Sequence, residues 1–227
     1  MAWTPPPPRP GHPYYMYESI YAQPGAIRLV LRQNADTLKA AAERLKAVDR
    51  VFLSGIGTSW HACLVGELLL SQVGGLGHRV RAFHSFEFKN YWPDPDPRSG
   101  VIVVSHRGTK RFSLEALQKA KAGGGIAIAI TGRGSGEGLK IADYSLVTIE
   151  QENSAAHTIS YTTALSLLAA LAAEIGGDGE VVHALEALPD QMALLLGQES
   201  WEELAARFAD RRRYYFVGGG PDRKSVV

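Results

Sequence analysis

Between Gly25 and Val48 the apolar residues Ile27, Val30, Leu31, Leu38, Ala41 and Leu45 recur at helical spacing, which predicts an amphipathic helix broken near Asn34. Upstream, Tyr14 to Pro24 is aromatic, and Met1 to Pro13 is a proline-rich stretch that packs as neither helix nor strand and reads as a polyproline-like arm. From Arg50 the pattern changes to short apolar runs. Val51 to Leu53, Arg79 to Phe83, Val101 to Val104, Gly125 to Ile130 and Tyr144 to Val147 read as strands, the first suited to burial on both faces. Between them His61 to Gln72, Ser85 to Tyr91 and Leu114 to Ala122 read as helices, and Ile159 to Ile175 is a long helix after the last strand. Strands alternating with helices predict an α/β domain built on a parallel sheet.

Two further helices, Val181 to Leu196 and Trp201 to Arg212, are expected to lead the chain away from this domain. Arg213 to Gly220 then repeats Arg50 to Gly57: a basic residue, an apolar strand and a glycine turn. A second copy of the domain is expected to start there. The last six residues, Asp222 to Val227, match the translation of a common sequencing adapter, so the natural chain is expected to continue beyond Pro221. The expected organisation is an arm over 1–13, a helical segment over 14–48, the α/β domain over 49–177 and a helical linker over 178–212. Residues 213–221 would be the first strand and loop of the truncated second domain, and 222–227 the adapter artefact.

Composition narrows the chemistry. A chain of 227 residues with 45% apolar content can hold a real core. With 24 basic against 23 acidic residues and no basic stripe, nothing draws it to nucleic acid. The single cysteine, Cys63, excludes an internal disulfide and a multi-cysteine metal site and fits a cytoplasmic setting. The longest apolar run, about Ala164 to Ala173, is too short to cross a membrane, and the N-terminus lacks a signal pattern. No cofactor is expected.

Polar loops follow three of the predicted strands. In the first, Gly55 and Gly57 allow a tight turn, and Thr58 and Ser59 stand where a helix start exposes its unpaired N–H groups, a place that suits an anion. A plain strand-to-helix turn with a hydroxyl cap is the alternative. A dinucleotide is disfavoured: Trp60 stands where the fingerprint needs a small residue, and the next strand ends on no carboxylate. Ser105, His106, Arg107 and Lys110 follow the third strand, and Glu152, Ser154, His157 and Thr158 lie in the loop before the long helix. Hydroxyls, N–H groups and two cations suit a phosphate. Arg107 and Lys110 also fit a solvated loop, and His106 and His157 fit structural hydrogen bonding. A metal site with Glu152 matches no trusted ligand spacing. Glu152 and His157 are the candidate proton-transfer residues of these loops.

Tyr17 to Pro24, Gly57-Thr58-Ser59, Glu87-Phe88-Lys89, the Ser105 loop, and Glu152 through Thr163 together resemble the sugar isomerase (SIS) domain, specifically the isomerase half of glucosamine-6-phosphate synthase, from about Tyr15 to Gly220. The resemblance implies a flavodoxin-like three-layer αβα sandwich with a five-stranded parallel sheet, two such domains in tandem, homodimers and a bound hexose or amino-sugar phosphate. It implies binding residues Gly57, Thr58, Ser59, Ser105, His106, Arg107, Gly108, Lys110, Ala155, His157 and Thr158. Where the family usually reads Ser-Gln-Ser-Gly-Glu-Thr this chain reads Ser105-His106-Arg107-Gly108-Thr109-Lys110, which keeps anion binding and leaves the particular sugar open. The family's glutaminase domain and its second SIS domain, which carries the proton-transfer groups, are not in this sequence, so the chain is expected to bind without turnover. A phosphosugar sensor or a dimerisation domain is the rival reading.

Overall fold

A computed structural model describes residues 4, 6–92, 94–154, 156–198, 200–215 and 217–218. Two helices, α1 (Tyr15–Gln33) and α2 (Ala35–Lys46), precede β1 (Arg50–Gly55), α3 (Thr58–Gln72), β2 (Val80–His84) and α4 (Ser85–Tyr91). Then come β3 (Ser99–Val104), α5 (Arg111–Ala122), β4 (Ile126–Thr131), β5 (Tyr144–Val147), α6 (Ile159–Gly176), α7 (Gly179–Leu196) and α8 (Ser200–Phe208). The five strands pair in parallel in the order β2-β1-β3-β4-β5. The sequence therefore leaves β1 toward one edge and β3 toward the other. That reversal opens a crevice at the carboxyl ends of β1 and β3.

Every residue of β3 and β4 is buried, because helices cover both faces of the sheet. Alternate strand residues serve opposite layers. Leu53, Ile102, Ile128 and Leu146 pack with Leu167, Leu168 and Leu171 of α6, together with residues of α2 and α3. Val101, Val103, Ala127 and Ala129 pack with Ala116 and Leu117 of α5 and Phe88 of α4. Each fully buried large aliphatic chain contributes about 1.5–3 kcal/mol. α6 is long and apolar enough to cross a membrane, but most of it is buried inside the domain, where it meets α1, α2 and α3.

The first helix starts at Tyr15, ahead of the periodic run read from Gly25 and inside the segment expected to be helical over 14–48, with Pro24 within it. Proline costs a helix one N–H bond. The carbonyl left without that bond, Ile20 O, accepts from Gln23 Nε2 at 3.1 Å. The expected break falls at Asn34. Its buried amide donates to Val30 O at 2.7 Å and Val147 O at 2.8 Å, and its Oδ1 accepts from Val147 N at 2.7 Å. At the other edge of the sheet, Glu67 of α3 accepts from Ala82 N of β2 at 2.8 Å.

α4 and β5 match their predicted limits, whereas α8 ends at Phe208, before the predicted Arg212. α7 does not lead the chain away: it packs on α1 and α6, with Arg28 of α1 paired to Asp190 at 2.7 Å. The strand predicted from Tyr214 is not formed among the described residues 213–215 and 217–218, where Tyr214, Tyr215 and Val217 are exposed. Phe216 and the adapter-like 222–227 lie outside the described residues. The proline arm forms no helix or strand over the described residues, and Arg9 fastens it to α1 through Glu18 at 2.7 Å and the face of Tyr15 at 4.1 Å.

Candidate functional site

The first wall of the crevice is the turn from β1 to α3. Gly57 caps the helix at φ +61°, a conformation that a side chain would strain. A Cβ on Gly55 would lie 2.5 Å from Ser59 O, so helix and strand approach closely only because that position is glycine. Gly57 O accepts from Trp60 N at 2.9 Å, which leaves the N–H groups of Thr58 and Ser59 as the open start of the helix. No side chain caps it. Such a start attracts an anion.

The second wall follows β3. Ser105 N donates to Ile130 O at 2.9 Å, and Gly108 N returns to Ser105 O at 3.2 Å with Gly108 at φ +63°. Gly108 shapes this loop and does not line the crevice: a Cβ there would sit 2.9 Å from Leu139 Cδ1. The His106 ring lies over Gly132, where a Cβ would come within 2.6 Å of it, and its Nδ1 is 3.2 Å from Thr148 Oγ1. Burial, with opposition from His157 and Arg107, lowers the His106 pKa to about 4 against upward pulls from Glu152 and from a hydrogen bond to the Glu150 backbone, so the ring is neutral at pH 7. Its Nε2 is buried and has no partner.

The third wall is the loop before α6, organised by Glu152. Its carboxylate is inaccessible and accepts from Thr158 N at 2.9 Å, Ile159 N at 3.0 Å and Ser160 N at 2.7 Å. Burial alone would push the Glu152 pKa up. His157, the Ser160 side chain and the helix N–H groups outweigh it and hold the carboxyl down at about 2. The candidate base is thus a helix cap: its oxygens are committed to α6, and so low a pKa makes it a poor proton acceptor. His157 Nδ1 lies 3.8 Å from Glu152, within ion-pair range and beyond hydrogen-bond length, and the His106 and His157 rings are 5.9 Å apart edge to face.

These walls enclose a cavity of about 320 Å³. Of the predicted residues it brings together Gly57, Thr58, Ser59, Ser105, His106, Arg107, Lys110 and His157. Thr158 is turned away, its hydroxyl 3.0 Å from Met16 Sδ, and Ala155 lies outside the described residues. Val104, Ile130, Thr148, Ser160, Tyr161 and Ala164 also line the cavity and were not predicted. Thr148 directly follows the last strand, and Ser160, Tyr161 and Ala164 share the first turns of α6; their place at strand and helix ends was the available signal. Among the described residues, no group of three metal-ligating side chains is placed to hold an ion.

The family model described as "SIS domain" matches residues 44–174. Glutamine–fructose-6-phosphate aminotransferase of Thermococcus kodakarensis is 29% identical over 222 residues, a match covering 92% of this chain and 36% of that protein. The chain thus spans little more than a third of that relative's length. Among solved structures, the C-terminal domain of glucosamine-fructose-6-phosphate aminotransferase from Francisella tularensis superposes with a TM-score of 0.75 at 21% identity, covering 93% of this chain and 64% of that one. Tagatose-6-phosphate ketose/aldose isomerase from Escherichia coli gives 0.72 at 20% identity, covering 98% and 65%. At those identities the structural likeness concerns the fold.

Proposed function

Because the chain belongs to the SIS domain family, we propose that it binds a phosphorylated sugar, a hexose or amino-sugar phosphate, in the cavity at the carboxyl ends of β1 and β3. The observation that carries this reading is the uncapped start of α3 opening into the same cavity as Arg107 and Lys110. The phosphate would take the N–H groups and hydroxyls of Thr58 and Ser59, with the two cations balancing its charge. At about 320 Å³ the cavity is at the small end of ligand sites, which run from roughly 300 to 1,000 Å³. Val104, Ile130 and Ala164 give the sugar an apolar floor.

Turnover is a separate matter. No carboxylate lines the cavity among the described residues, and Glu152 is engaged as a cap. An aldose–ketose isomerase or aminotransferase-like activity of the kind named for the relatives would draw its proton-transfer group from a second SIS domain, with homodimers as the working form. A phosphosugar sensor is favoured by the same lack of a carboxylate in this cavity. A cytoplasmic setting belongs to the proposal and is supported by the lone buried thiol of Cys63.

The test is a thermal-shift titration with fructose 6-phosphate, glucosamine 6-phosphate, glucose 6-phosphate and inorganic phosphate, on the parent chain and on the double variant Arg107→Ala, Lys110→Ala. A ligand at a hundred times its Kd stabilises the fold by about 2.7 kcal/mol, which gives a readily measured rise in Tm. The expected result is stabilisation by at least one sugar phosphate that the double variant loses. Absence of stabilisation by every sugar phosphate overturns the reading.

A further inference from the structure

A second pocket, of about 300 Å³, lies between the start of α1 and the loop that leaves β5. Tyr15, Glu18 and Ser19 line it from the helix, and Glu150, Gln151 and Glu152 from the loop. No lysine, arginine or histidine is among its lining residues. That is the reverse of the first cavity, where Arg107 and Lys110 stand without a carboxylate. One loop serves both: it carries His157 into the first cavity and Glu150 and Gln151 into this one. The two pockets thus suit ligand groups of opposite charge.

Of the three carboxylates, Glu152 is committed to the start of α6. Glu18 holds Arg9 of the proline arm. Arg9 Nη1 donates to Glu18 Oε1 at 2.7 Å and to Pro13 O at 2.7 Å, and its guanidinium lies 4.1 Å from the centre of the Tyr15 ring. Arg9 therefore touches two lining residues from the rim, as a flat cation on an aromatic face beside a carboxylate. Two acceptors remain unmatched. Glu150 has no ion-pair partner among the described residues, and the Gln151 amide, its oxygen buried, makes no hydrogen bond among them. A metal ion does not suit the pocket, because no three ligating side chains converge among the described residues. An organic cation, which needs acceptors and an aromatic face, does.

We propose that this pocket is a binding site for a small organic cation, an alkylguanidinium or alkylammonium group, with Glu150 and the Gln151 amide as acceptors, and that Arg9 of the arm contests it from the rim. The site is independent of the phosphosugar reading, since Tyr15, Glu18, Glu150 and Gln151 do not line the first cavity. Arg9 and an incoming cation repel each other and draw on the same Glu18 carboxylate, so arm and ligand displace one another. A solvent-exposed ion pair such as Arg9–Glu18 is weak, which makes the arm a removable cover.

The experiment is a titration of the full chain with butylguanidinium and butylammonium at constant ionic strength, followed by 1H–15N NMR, with the neutral butylurea as control. Arg9→Ala and Glu150→Gln are run alongside. The cations are expected to give saturable shifts of the amides of residues 15–22 and 149–153, and butylurea none. Glu150→Gln is expected to weaken cation binding about tenfold, as loss of a hydrogen bond to a charged group does. Arg9→Ala is expected to strengthen it about two- to fivefold, the range of an exposed ion pair. Arg9 lies in the arm and Glu150 is exposed, so both variants are expected to keep the parent's spectrum away from the pocket. Failure of both cations to bind the parent and Arg9→Ala overturns the proposal. So does equal binding of butylurea, binding that Glu150→Gln leaves unchanged, or binding that Arg9→Ala weakens.

Discussion

Replacing Glu152 by glutamine changes one oxygen to an amide nitrogen and leaves the shape of the side chain almost intact. The consequences are electrostatic. The carboxylate accepts from the N–H groups of Thr158, Ile159 and Ser160 at the positive end of α6. Against the opposing effect of burial, His157 first, then Ser160 and the N–H groups, draw its pKa from an ordinary 4.5 to about 2. At about 1.4 kcal/mol for each tenfold change in proton affinity, the ionised form contributes about 3 kcal/mol to folding. Glutamine keeps one acceptor oxygen and turns an NH2 toward N–H groups that need acceptors. For a chain of this size 1 kcal/mol moves Tm by about 2–4 °C, so Glu152→Gln is expected to melt about 6–12 °C lower at pH 7. The folded-state pKa is depressed, so the contribution is complete above 4.5. It drains away as protons bind first the unfolded chain and then, near pH 2, the folded one. Thermal melts of parent and variant between pH 7 and pH 2.5 should therefore show a gap that holds above about pH 5 and closes toward pH 2.5. Equal Tm at pH 7, or a gap that does not change with pH, would refute the capping role and return Glu152 to the list of free acids near the cavity.

Asn34→Ala removes three buried hydrogen bonds between the α1–α2 junction and Val147 and Val30, and is expected to cost about 2–4 kcal/mol in urea denaturation; a loss below about 1 kcal/mol would contradict the geometry. Gly55→Ala drives a methyl group to 2.5 Å from Ser59 O and is expected to cost about 1–3 kcal/mol, read as a lower denaturation midpoint. A midpoint equal to that of the parent would mean that β1 and α3 are not locked together. Burial pushes the Cys63 thiol far above its ordinary pKa, so a thiol reagent should label the native protein only as fast as it unfolds; rapid stoichiometric labelling at neutral pH would be inconsistent with that site.

Hydrophobic runs and turns made most of the sheet legible, since a strand buried on both faces announces itself as a short β-branched run, as Val101 to Val104 does. The start of α1 was less legible, because its first residues are aromatic and not periodic, and Pro24 is tolerated inside it where the adjacent Gln23 side chain covers the carbonyl that the proline orphans. The first two walls of the cavity were legible as glycine turns after strands. The third was legible as a polar loop before the long helix, but the role of Glu152 was not, because it depends on that loop folding back to present the carboxylate to N–H groups six to eight residues later. Thr148 went unnoticed because it lies one residue past the end of β5, outside the loops that carry the glycine turns.

The side chains at the two edges of the sheet bear on how the protein keeps company with others. An edge strand offers unpaired N–H and C=O groups to any extended chain that drifts past. At β5 the Asn34 amide occupies both groups of Val147 as a neighbouring strand's peptide would, and at β2 the Glu67 carboxylate occupies the Ala82 N–H. Both borders of the sheet carry a side-chain stopper, one neutral and one charged, so an incoming strand would have to displace a side chain at each of those positions.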